Sequence, residues 1–352
     1  MGSLRFFLAL SVIFAHAGAF MGLVLGDGRL AVQTFYMISG FYMSLVWTDK
    51  YSKLPNPVTT FYVSRALRIY PMYFLVLAVM VLAGALFGFN NPAFHFFDAT
   101  KALGWPTAVW VYLTQLTLIG METPLFHNFE LHNYMVLPVA WTLGLELTFY
   151  LLVPFLLSRL SILITVLVIS LVARIAIFSN GPTDVTALND TLWSYRFFPF
   201  EIAMFLAGSL AHRIYAQLPK ELVKLTAKPE VYFLSAFGMI GGLCYFGLLV
   251  TYFGEAMYWL YYVMVFVGIG VLFQHTKISK RDNYIGELSY PMYISHIPVL
   301  WIVGHFCKSG NMIYIVIPLT LGVSMVLSKL QEFIDKYRHD IVKAASSQNS
   351  NH

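Results

Sequence analysis

Apolar residues run along this chain in long blocks broken by short polar turns, and the length of the blocks sets the architecture. A helix crosses a bilayer core with roughly 20 apolar residues. Eleven blocks approach that length: residues 4–25, 30–47, 69–89, 105–120, 137–157, 160–178, 197–215, 231–252, 256–273, 285–306 and 311–330. No soluble insert, low-complexity tract or repeat separates them. The pattern predicts an all-α polytopic membrane helix bundle.

The basic residues orient it. Lys50, Lys53, Arg65 and Arg68 fall in one gap, Lys220, Lys224 and Lys228 in a second, and Lys277, Lys280 and Arg281 in a third. Lys329, Lys336, Arg338 and Lys343 mark the C-terminal end. Cytoplasmic segments collect Lys and Arg, so all four clusters are expected on the cytoplasmic side. That requires an even number of crossings between Arg68 and Lys220, yet five blocks lie there. The weakest is 105–120, which carries Thr107, Gln115 and Thr117. It is expected to be re-entrant or interfacial. About ten transmembrane helices remain, with both termini cytoplasmic. Residues 1–332 form the membrane domain, and 333–352 a polar cytoplasmic tail that frays near 346–349.

Composition agrees. Of 352 residues, 59% are hydrophobic and 11% charged, against about 25% charged in a soluble domain, and the mean hydropathy is +0.70. The 30 Phe and 22 Tyr suit helices packed against lipid and interface. The net charge of +5 is what cytoplasmic loops supply, so it does not call for nucleic acid. Two cysteines, Cys244 and Cys307, make no disulfide framework, and the ten scattered histidines form no metal-ligand set. Block 4–25 is long enough to span and is expected to be an uncleaved first helix, not a signal peptide.

Ionisable groups inside a bundle are costly and usually face an internal cavity. They are Arg5, His16, Glu146, Arg174, Glu201, Glu287, His296 and His305. Arg5 and His16 are eleven residues apart, about three helical turns plus 20°. That puts a cation at the cytoplasmic mouth and an imidazole near midplane on one face, about 16 Å apart. An anchoring Arg and a packed His would look the same. Glu146 shares a face with Thr142 and Tyr150, four residues to either side; pairing with Arg174 is the structural alternative. Arg65 and Arg68, three apart, share a face and can grip one polyanion, though positive-inside charge also explains them. Ser39 and Gly40 fit a helix-packing contact.

Taken in order, these residues resemble a known family. Arg5 and His16 match its Arg, ten residues, His pattern. Phe35 to Phe41 match a Phe-x-x-x-Ser-Gly-Phe motif, and Arg65, Arg68, Pro71 and Tyr73 a double-arginine motif. Trp141 through Tyr150 with Pro154 match a third. Arg196, Phe205 and Gly208 match a fourth, and Ser289 to His296 the terminal one. The chain resembles the acyltransferase-3 type of membrane O-acyltransferases, in the stand-alone form without a C-terminal esterase-like domain. Many relatives carry a second acid in the Trp141 helix; here Leu147 stands there, and Thr142 replaces the usual Ser.

The resemblance implies transfer of an acyl group, acetyl by default, from cytoplasmic acyl-CoA to a hydroxyl of a carbohydrate or lipid-linked glycan across the membrane, the bacterial inner membrane. Acetyl-CoA is then a co-substrate, and no cofactor is permanently bound. Arg5, Arg65 and Arg68, helped by Lys50 or Lys53, would hold the CoA phosphates. His16 would act as general base or take the acyl group itself. Glu146 would orient or polarise the imidazole. Ser39, Trp141, Tyr150 and His296 would line the cavity, with Ser39 a candidate oxyanion donor and His296 a second candidate base. The rival reading is a proton-coupled transporter or flippase of a lipid-linked glycan.

Overall fold

The computed structural model describes residues 1–19, 25–87, 101–127, 129–180, 195–254, 256–307 and 312–347. It is helical throughout, with no strand among the described residues. α1 (Gly2–Ala17) is followed by α2 (Gly28–Asp49), α3 (Pro57–Phe87) and α4 (Trp105–Thr117). Short helical turns lead to α5 (Trp141–Leu156), α6 (Leu160–Asn180) and α7 (Phe198–Ala216). Then come α8 (Lys220–Thr226), α9 (Pro229–Cys244), α10 (Phe246–Phe253) and α11 (Ala256–Thr276). The chain ends with α12 (Lys280–Glu287), α13 (Ser289–Phe306) and α14 (Ile313–Ser347).

The polytopic helix bundle stands. Among the described residues, five helices are long and apolar enough to cross a membrane, six if the pair α9 and α10 is one span, and α1 and α6 are shorter apolar helices there. The expected block 231–252 breaks at Tyr245 with a bend of 77°. Gly241 and Gly242, both weak helix formers, lie just before the break. α1 stops at Ala17, after 16 residues, where Gly18 turns out at φ 93°. His16 therefore sits in the last turn of α1, not at the middle of a 22-residue span. Residues 20–24 of that expected span lie outside the described residues. α7 and α13 are less apolar along their length because they bury Glu201, Ser209 and His212, and Ser289, Ser295 and His296. Polar groups turned inward lower hydropathy without exposing anything to lipid.

α4 has 13 residues, about 20 Å of helix, too short to cross a 30 Å core alone. The polar residues that weaken its hydropathy are in use. Gln115 donates to the Tyr134 carbonyl (3.0 Å) and accepts from the Val136 N–H (2.7 Å). Leu118, left-handed at φ 62°, then turns the chain back.

α2 is the central helix. Asp27 caps it, accepting from the Arg29 and Leu30 N–H groups. It lies against α1, α5, α7 and α11. Its contact with α7 is glycine on backbone in both directions. A Cβ on Gly40 would sit 1.8 Å from the Phe205 carbonyl oxygen, and one on Gly208 would sit 1.8 Å from that of Met37. The two backbones can approach this closely only at Gly, and Ser209 seals the contact by donating to the Gly40 carbonyl at 2.9 Å. Beside it, Arg174 and Glu201 form a buried ion pair at 2.7 Å, and Gln33 donates to both oxygens of Glu201. Arg174, offered from sequence as a structural partner for Glu146, is paired with Glu201 instead.

α14 runs without a break from the membrane domain into the polar segment from 333 on. It packs against α3 and α13, and this brings Asp335 and Arg338 to Arg68.

Candidate active site

One cavity of about 500 Å³ opens among α1, α2, α3, α5, α12, α13 and α14. Arg5, Arg65, Arg68, Ser39, Glu146 and Tyr150, all singled out from sequence, line it. Trp141, His16, His296, Lys50 and Lys53 do not.

Arg65 and Arg68 reach the cavity from one face of α3, as their spacing requires. Arg65 lies near the rings of Tyr51, Phe61 and Tyr150, at 6.0, 5.8 and 5.9 Å. It makes no ion pair among the described residues, and its Nε is buried with no hydrogen-bond partner. Arg68 pairs with Asp335 at 2.9 Å. Glu146 accepts at one oxygen from two hydroxyls, Ser39 at 2.7 Å and Tyr150 at 2.5 Å. Glu146 makes no contact with His16, and the proton of Ser39 is already directed at Glu146.

The imidazole of His16 has a different neighbour. Its Nδ1 lies 2.9 Å from the Val12 carbonyl and 3.3 Å from Nε2 of His296. Nδ1 of His296 lies 2.6 Å from the Tyr293 carbonyl. A carbonyl only accepts, so both rings are assigned a proton on Nδ1. Nε2 of His296 then shares that His16 proton with the Val12 carbonyl, the lone pair of His16 falls on Nε2, and the residue is exposed. His296 is 1% exposed and sits within α13, not at a helix end. Sequence order alone had left it a secondary candidate.

Tyr293 joins the two places. It lines the cavity beside Thr142, and its hydroxyl meets Thr142 at 2.8 Å and the Val139 carbonyl at 3.1 Å. Its ring centroid is 5.8 Å from that of His296, and the two histidine rings are 5.1 Å apart. Trp141, outside the cavity lining, has Arg196 over its ring at 4.8 Å and Tyr195 edge-on at 4.9 Å.

Comparison with known proteins gives the chain's family. Residues 2–329 match the sequence profile described as an acyltransferase domain, of the acyltransferase-3 type. The chain belongs to the acyltransferase-3 family. The acyltransferase is 25% identical to O-acetyltransferase OatA of Staphylococcus aureus over 362 aligned positions, 94% of this chain and 55% of that protein. It is 32% identical to Nodulation protein 10 of Rhizobium leguminosarum bv. viciae over 171 residues, 44% of this chain and 43% of that one. An uncharacterized protein of Aquifex aeolicus is 25% identical over 217 residues, 60% of this chain and 93% of its own length. The acyltransferase thus spans about half the length of the two relatives that carry functional names. No solved structure matches it.

Among the described residues no group of His, Cys, Asp and Glu could hold a metal ion.

Proposed function

We propose that this acyltransferase takes an acyl group, acetyl by default, from acyl-CoA bound at the cytoplasmic face and passes it to a hydroxyl of a glycan or glycolipid on the far side of the bacterial inner membrane. The observation that carries this is the junction of a guanidinium-lined cavity with an oriented imidazole pair through one residue, Tyr293. The name of the O-acetyltransferase relative supports an acetyl group and a hydroxyl acceptor.

Arg5, Arg65 and Arg68 bind the phosphates of the donor, where planar guanidinium forks fit phosphate oxygens. The uncharged pantetheine arm runs inward and passes Tyr293 to bring its thioester to His16. Nε2 of His16 takes the proton of the acceptor hydroxyl as its oxygen attacks the thioester carbonyl carbon. The tetrahedral intermediate then collapses, the C–S bond breaks, and the imidazolium returns the proton to the leaving thiolate. His296 is a positioning residue: its Nε2 shares the His16 Nδ1–H with the Val12 carbonyl, orients the ring and stabilises the imidazolium, the part an aspartate takes in a Ser–His–Asp arrangement. Glu146, held by Ser39 and Tyr150, is the cavity's counter-charge to the arginines.

The test is release of free CoA from acetyl-CoA by purified protein in detergent with a glycan acceptor, followed by mass spectrometry of the acceptor. His16→Ala should insert and fold yet release no CoA above background. Full acetylation by that variant would overturn the mechanism.

A further inference from the structure

The family profile ends at residue 329, but the cavity does not. Asp335, Arg338 and His339 of α14 also line it. Asp335 spreads its carboxylate over two arginines from different helices. Oδ2 takes Arg68 Nη1 at 2.9 Å, and Oδ1 takes Arg338 Nη2 at 3.1 Å. Gln331, nearly buried, steadies the same carboxylate by donating to Oδ1 at 3.2 Å. The side chains of Arg68, Arg338 and Asp335 keep only 20%, 14% and 22% exposure, so water screens them partially.

Four guanidiniums face this cavity, those of Arg5, Arg65, Arg68 and Arg338, against the carboxylates of Glu146, Glu287 and Asp335. Glu146 is committed to two hydroxyls. Asp335 is the one carboxylate that bridges two of the guanidiniums, with its oxygens placed as two oxygens of one phosphate would be. A phosphate binding there needs the same N–H groups.

We propose that the end of α14 completes the donor site. Arg338 is a further anion-binding residue for the donor's diphosphate, and Asp335 is a competing internal anion that the diphosphate displaces from Arg68 and Arg338. The inference rests on the donor reading above and adds to it two residues that lie beyond the family's own pattern.

The experiment measures equilibrium binding to the full-length protein in detergent with two probes, acetyl-CoA and inorganic pyrophosphate. Asp335→Asn keeps the shape and removes the competing charge. It should tighten both probes by roughly tenfold, the worth of one half-buried charge-assisted pair. Arg338→Gln should weaken both by a similar factor, and Asp335→Glu should behave as the parent. The melting temperature of each variant without probe separates loss of fold from loss of binding. If Asp335 serves only to hold Arg68 in place, Asp335→Asn weakens binding. That result, or unchanged affinity, overturns the inference while parent acetyl-CoA binding preserves the donor reading. Pyrophosphate responding as expected with no acetyl-CoA binding would keep the anion site and sink the donor reading. Binding of neither probe by the parent would sink both.

Discussion

Nε2 of His296 stands 3.3 Å from Nδ1 of His16, although 280 positions separate the two residues. The Val12 carbonyl holds the His16 proton on Nδ1, and His296 shares that proton and fixes the orientation of the ring. His296→Ala should therefore lower kcat by about 10²-fold, within the range that general acid–base positioning contributes, with KM for acetyl-CoA little changed. His296→Gln can still accept from Nδ1–H through its side-chain oxygen and should recover part of the loss. The measurement is CoA release under saturating donor. Equal, complete loss in both variants would refute a positioning role.

The close approach of α2 and α7 holds Ser39 against Glu146. Gly40→Ala would drive a methyl into the Phe205 carbonyl, and Gly208→Ala into that of Met37. Neither neighbour is a movable side-chain tip, so the helices must separate. Each substitution should cost at least about 1–3 kcal/mol and lower activity, because Ser39 precedes Gly40 and shifts with it. Gly241→Ala, which meets nothing within 4 Å, is the matched control. Thermal unfolding in detergent compares the three.

The Arg174–Glu201 pair, 6% and 0% exposed, does not itself line the cavity. Arg174→Ala leaves an uncompensated carboxylate among Gln33 and Tyr262, and should cost about 3–5 kcal/mol. Adding Glu201→Gln should restore much of that, since the stranded charge is then gone. A double-mutant cycle read by thermal unfolding checks the sign. A further loss from the second substitution would show that the carboxylate has other partners.

Glu122 lies in the turn after α4, outside the spanning helices. It is 5% exposed, and its Oε2 has no hydrogen-bond partner. Burial pushes its carboxyl up to about 7 from an ordinary 4.5, and a bond from its own N–H offsets only part of this. The folded protein thus holds a proton that the unfolded chain has lost. Stability is full below about pH 4.5 and falls as pH rises through about 7, by on the order of 3 kcal/mol. Glu122→Gln should remove this dependence and raise the melting temperature at pH 8 more than at pH 5. Parallel curves for parent and variant between those values would rule it out.

Much of this molecule follows from one-dimensional spacing. Block length predicts the helical bundle, because unpaired backbone polar groups are intolerable in lipid. The three-residue step from Arg65 to Arg68 predicts one shared face, because the helical period is local. The order of short motifs from Arg5 to His296 marks the family. What spacing could not decide was anything that joins distant segments. Glu146 faces Ser39 and Tyr150, not His16, because α5 meets α2 at that level. His16 pairs with His296 because α1 packs on α13. Asp335 reaches Arg68 because α14 continues unbroken past its apolar part and returns along α3. Hydrophobic pattern sets which residues are buried, but it is nearly the same for every way of stacking apolar helices. The choice among stackings is made by close glycine contacts and by polar groups that must find partners, and those constraints exist only in three dimensions.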